Sequence, residues 1–88
     1  MSSRYVGPSH DRGVSIYVEA SARVNVYALP ADGLRAYEDG AINFDIFEVS
    51  RNRRIHNMVA RPEPRRYWYL LIINDRVEPV NLYFEVAW

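Results

Sequence analysis

Apolar and polar side chains alternate with a period of two along most of this chain, a rhythm that fits strands and not helices. In RGVSIYVEA, Val14, Ile16 and Val18 share one face, while Ser15, Tyr17 and Glu19 share the other. ARVNVYAL opposes Val24, Val26 and Ala28 to Arg23, Asn25 and Tyr27. AINFDIFEV sets Ile42, Phe44 and Ile46 against Asn43, Asp45 and Phe47. Residues 55–60 alternate more weakly, with Ile55, Asn57 and Val59 opposed to His56, Met58 and Ala60. RRYWYLLIIN is apolar on both faces, the signature of a central strand covered on both sides. PVNLYFEVAW has the cleanest alternation and directs Val80, Leu82, Phe84, Val86 and the final Trp88 inward.

Turn signals separate these runs. Ala20 and Ser21 are read as a tight hairpin between the first two strands, and Asn74-Asp75-Arg76 as the loop before the last. RPEPR at 61–65 carries two prolines and is not a central strand. PADGLRAYEDG, bounded by Pro30 and Gly40, is the one segment with helical spacing, which predicts a short helical turn at 33–38. With no crossover helix, the expected fold is all-β: a compact antiparallel β-sandwich, jelly-roll-like, of six to eight strands. Residues 1–12 are read as an N-terminal arm and 13–88 as the single sandwich domain.

Eighty-eight residues bury roughly 60–65% of their unfolded surface, so the margin of stability is thin. The chain has no Cys and therefore no disulfide staple, so its 12 aromatic residues must supply much of the core. It also lacks Lys, Gln and Thr, and all 11 of its basic residues are Arg. A Cys-rich zinc site, a thiol nucleophile, a P-loop lysine and a Schiff-base lysine are thereby excluded. The arginine bias suggests a GC-rich coding sequence, as in many bacteria. No run reaches the roughly 20 apolar residues of a membrane helix, and MSSRYVGPSHDRG lacks the apolar core of a signal peptide. The expected location is cytoplasmic, away from a membrane.

Catalytic and metal-binding patterns are weak. His10 and His56 are the only groups titrating near neutrality, and they form no HxH, HExxH or HxxxH spacing. Hydrolase-like chemistry would need His56 in a cleft with a carboxylate in reach. The polar face of an edge strand accounts for it without chemistry. Asp45 and Glu48 fall on opposite faces of one run, Glu38-Asp39-Gly40 reads as a turn, and there is no DxDxDG loop. The serines occur in no GxSxG or SxxK setting. No enzyme activity, cofactor or metal is expected.

Charge carries more information. Eleven acids balance the arginines, yet residues 51–66 hold Arg51, Arg53, Arg54, Arg61, Arg65 and Arg66 against Glu63 alone, about +5. Residues 32–48 hold Asp32, Glu38, Asp39, Asp45 and Glu48 against Arg35, about −4. Opposed patches on a small domain suit contact with another protein or a second copy of the chain, and free strand edges add β-augmentation. Tyr17, Tyr27 and Tyr83 are outward aromatics that would rim or anchor such a contact. These readings make the chain a non-enzymatic interaction or accessory module, self-association included. The binding residues are Arg51, Arg53, Arg54, His56, Arg61, Arg65 and Arg66. The alternative is an anion-, nucleotide- or nucleic-acid-binding module on the same arginines, with Tyr67, Trp68 and Tyr69 available to stack on a base. A pI near 6.7 lacks the basic excess usual in nucleic-acid binders.

The succession VxVYALP, LRAYEDG, a Pro-containing loop, RRYWYLLIIND and a last alternating strand resembles GOLD-like and pre-peptidase C-terminal-like small β-sandwiches. There, a strand of the form aromatic-Tyr-hydrophobic-hydrophobic-Asn precedes the final strand. It is similar also to a bacterial domain of unknown function found beside TIR domains. Arg23-Val24-Asn25-Val26, Tyr37, Gly40, Pro62 or Pro64, and Trp68-Tyr69 hold that pattern's positions. The resemblance covers most of residues 14–88. It implies a non-catalytic accessory or ligand-recognition sandwich and carries no catalytic residues.

Overall fold

A computed structural model of the chain describes residues 2–7, 13–62, 67–75 and 78–87. Along the chain come β1 (Ser2–Gly7), β2 (Val14–Pro30), α1 (Ala31–Glu38), β3 (Glu48–Ala60), β4 (Trp68–Ile73) and β5 (Leu82–Ala87). The strands are antiparallel throughout and follow the order β1-β4-β2-β3, with β5 also paired to β2. The all-β class is as expected. Against the six to eight expected, the described residues form five strands, all hydrogen-bonded into one sheet.

The organising element is β2, which is 17 residues long. One of its edges belongs to β3 along most of its length. The other is shared: Ser15–Ala20 pair with β5, and Asn25–Pro30 pair with β4. The expected hairpin at Ala20-Ser21 does not form. Ala-Ser-Ala offers no residue suited to the positive φ of a two-residue turn, so the strand bends and continues. At the bend, Ser21 N–H donates to the Asn81 carbonyl at 3.0 Å, and Asn81 N–H donates to Ser21 Oγ at 2.9 Å. Backbone groups that the change of partner would orphan are thus satisfied.

Bending lets one sheet enclose its own core. Val14, Ile16, Val18, Val26, Met58, Trp68, Leu70 and Ile72 are buried together, and β5 adds Leu82, Phe84 and Val86 as half-buried cover. Tyr5 of β1 meets Phe84 of β5 with ring centroids 4.3 Å apart, although the two strands are not hydrogen-bonded neighbours. Ser2–Gly7, read above as part of an arm, is therefore an edge strand of the sheet. Trp88 and residues 8–12 lie outside the described residues, so the inward placement of Trp88 does too.

β4 is covered on both faces, as its composition predicts. Trp68, Leu70 and Ile72 enter the main core, while Leu71, Tyr69 and Ile73 pack with Tyr27, Leu29 and Leu34 beneath α1. The helix is eight residues long, slightly more than the turn expected at 33–38. It ends as Gly40 would have it. Gly40 adopts φ +86°, its N–H donates to the Tyr37 carbonyl, and Ala41 N–H donates to the Ala36 carbonyl. That is a Schellman ending, which favours glycine.

Residues 41–47, expected as the start of a strand, form a connecting loop, and β3 begins only at Glu48. Phe47, the last of them, reaches the sheet: its N–H donates to the Ala28 carbonyl at 2.7 Å, just before β3 begins. Ile42 is 94% exposed, whereas Phe44 packs against Tyr27 and Tyr37 at 5.8 and 5.6 Å between centroids. The loop crosses the helix so closely that a Cβ on Gly33 would overlap the Asp45 carbonyl oxygen.

Candidate interaction surface

The surface begins at a register slip. β2 and β3 pair regularly from Val14↔Ala60 to Glu19↔Ile55, then resume at Val24↔Arg53 and again at Val26↔Ser50. The second shift places an extra residue in β3, and Asn52 takes it up with φ 56°. Asn tolerates this left-handed conformation better than most residues. Asn52 N–H donates to Asn25 Oδ1 at 2.8 Å, pinning the bulge to the neighbouring strand. Bulges turn and twist the strand that carries them.

Beneath the bulge lies His56. The sequence reading put it on the polar face of an edge strand; instead it is fully buried, and Ile55 and Val59 are the exposed side of that run. The imidazole suits the interior because its polar atoms find partners there. Nε2–H donates to the Arg53 carbonyl at 2.8 Å, and Ser50 O–H donates to Nδ1 at 2.7 Å. A carbonyl only accepts, so the Nε2–H tautomer is fixed. Burial holds the His56 pKa below its ordinary value, against the opposing pull of its hydrogen bond to the Arg53 backbone. Both ring nitrogens are engaged, and no carboxylate pairs with the ring among the described residues. His56, expected among the binding residues, is held in the core beneath the bulge and is not exposed at the surface.

Above the bulge four arginines gather. Arg23 of β2 joins Arg51, Arg53 and Arg54 of β3 around an open groove completed by Asn52 and Ile55. All four are exposed, and none pairs with a carboxylate among the described residues. Arg51 is held in part by Tyr27, its guanidinium carbon lying 5.8 Å from the ring centroid. Tyr27 is itself 8% exposed, so it supports the groove from within and does not rim it.

Of the predicted arginines, Arg51, Arg53 and Arg54 come together. Arg61 is exposed just past the far end of β3, eight residues from Arg53 and therefore about 25 Å along the strand. Arg65 and Arg66 lie outside the described residues. Tyr67–Tyr69 do not flank the groove: Trp68 is buried opposite Pro30, at the other end of β4 from the Ile73↔Asn25 pair.

A second patch adjoins the first. On the outer face of β3, β2 and β5, Ile55 stands beside Glu19 and Glu19 beside Tyr83; Asn57 stands beside Tyr17 and Tyr17 beside Glu85. The two tyrosines meet edge to face at 6.3 Å. Tyr17 O–H donates to Glu19 Oε2 at 3.2 Å, and Tyr83 O–H donates to Glu85 Oε1. Partial burial and the Glu19 charge raise the Tyr17 pKa, and the hydrogen bond to Glu85 raises that of Tyr83. Sequence reasoning placed Tyr17 and Tyr83 outward but missed Glu19, Glu85 and Arg23. The acids at 32–48 are instead scattered over α1, its loop and the start of β3, where Glu38 pairs with Arg4.

No cluster of three or more metal-ligating side chains occurs among the described residues, and no helix there is long and apolar enough to cross a membrane. Comparison with protein-family models, curated proteins and solved structures finds no match.

Proposed function

We propose that the chain is a non-enzymatic interaction module that acts through protein–protein contacts, with the arginine groove at the β2–β3 bulge as its contact surface. The observation that carries this reading is the convergence of Arg23, Arg51, Arg53 and Arg54 on one groove without carboxylate partners among the described residues. Guanidinium groups left unpaired beside exposed Ile55 favour a partner that brings carboxylates. The implied accessory role of the small β-sandwiches that the sequence resembles accords with this reading.

The test is fluorescence anisotropy with a labelled poly-glutamate peptide and a single-stranded oligonucleotide of equal length. Poly-glutamate should bind, and Arg53→Ala with Arg54→Ala should weaken it about tenfold, as expected for losing two exposed charge-assisted contacts. Tighter binding of the oligonucleotide, with a steep loss as salt rises, would move the reading to nucleic acid. Binding of neither probe would remove the groove as a contact surface.

A further inference from the structure

Arginine groove and tyrosine–glutamate patch adjoin at Ile55, which lines the groove and pairs with Glu19, so the Ile55↔Glu19 pair is the seam between them. On one side of the seam stand Arg53 and Arg54, without carboxylate partners among the described residues. On the other stand Glu19 and Glu85, each oriented by a tyrosine hydroxyl. We propose that this surface binds a second copy of the chain, related by a two-fold axis near the seam, so that the arginines of each copy meet the glutamates of the other. The proposal rests on the reading of the groove as a protein-contact surface and names the partner.

Two arguments favour a copy over a foreign protein. A surface divided into a cationic and an anionic half becomes its own complement on rotation by 180°, which is the condition for an isologous dimer. Any other partner would need the same pattern independently. The side chains are also of the right kind: Arg and Tyr are enriched at interface centres, and the seam offers Ile55, Val59 and Tyr83, each exposed by half or slightly more.

Contact through the edge of β3 is disfavoured. Antiparallel pairing of that edge with its copy about residue 54 would set Arg54 directly against Arg54 of the other copy. Like charges directly opposite one another destabilise a sheet, and charged edges resist pairing. Docking face to face avoids this juxtaposition and replaces it with opposite charges.

Sedimentation equilibrium on the full chain, from about 10 μM to about 1 mM at low salt, tests the proposal. A dimer mass is expected at the upper concentrations, receding as salt rises. Arg53→Glu with Arg54→Glu, and separately Glu19→Arg with Glu85→Arg, should each lower the association constant about tenfold or more. Mixing the two variants should restore a 1:1 dimer, a result that unfolded or merely destabilised variants would not give. A monomer at every concentration, masses growing beyond a dimer, or a failed rescue would overturn the two-fold arrangement. If the wild type stays monomeric while poly-glutamate still binds through Arg53 and Arg54, only the dimer falls. If both fail, the contact surface falls with it.

Discussion

The buried Nε2–H of His56 donates to the backbone carbonyl of Arg53 at 2.8 Å, so a core imidazole holds the main chain from which an exposed arginine projects. Ser50 closes the arrangement from the other ring nitrogen. Folding and surface chemistry are therefore joined at one side chain. His56→Phe keeps much of the ring volume but leaves the Ser50 hydroxyl and the Arg53 carbonyl without this partner. Such orphaned groups cost about 1–3 kcal/mol each when fully buried, and these two are only part-buried, so urea denaturation should show a loss of about 1–2 kcal/mol.

The same histidine makes stability depend on pH. Folding lowers its pKa, so as pH falls below the ordinary value of 6.5 the unfolded chain takes up the proton first. Its contribution is intact above that value and is lost as pH falls towards the depressed folded pKa. Between pH 7 and 5 the free energy of unfolding should decline by at most about 1.4 kcal/mol per pH unit on account of this group. His56→Phe should flatten that slope. An unchanged slope would assign the pH dependence elsewhere.

Gly33 is a glycine of necessity. The Asp45 carbonyl occupies the place of its Cβ, so Gly33→Ala must displace the loop over α1 despite alanine's better helix propensity. A fall in Tm of about 10 °C or more is expected, from a loss of about 2 kcal/mol or more. Gly40→Ala meets no neighbour and pays only for its positive φ. Its Tm should fall by about 4–8 °C, from about 1 kcal/mol. Circular dichroism melts of the two variants give the comparison, and the order Gly33 over Gly40 is the discriminating outcome.

Asn25 is expected to act on binding from a distance. It presents Oδ1 to the Asn52 amide and thereby shapes the bulge. Asn25→Ala should cost about 1 kcal/mol of stability and weaken poly-glutamate binding several-fold, with every groove arginine still present. Equal affinity for the variant would show that the arginines do not need the bulge.

Much of the fold was legible because alternation reports which side of a strand is buried. β5 follows its predicted faces residue by residue, β4 is apolar on both faces and covered on both, and Pro30 and Gly40 bound the helix. Alternation does not report pairing. Residues 41–47 alternate as well as a strand does but form a connecting loop, and Ala20-Ser21 interrupts the rhythm without turning the chain. Arg51, Arg53 and Arg54 were legible as a charge run. Arg23 joins them only through the Val24↔Arg53 pair, and Glu19 reaches Tyr83 and Ile55 only through the registers of three strands. His56 was hidden because its burial depends on Ser50 and a backbone carbonyl, neither of which marks a sequence.

The most direct measurement is the change in backbone amide shifts when poly-glutamate is titrated into the labelled chain at low salt. The largest changes should fall on Arg23, Arg51, Asn52, Arg53, Arg54 and Ile55, and Arg53→Ala with Arg54→Ala should raise the peptide concentration needed for them about tenfold. Changes centred on Tyr67–Tyr69 or spread evenly over all exposed arginines would contradict the groove as the contact surface.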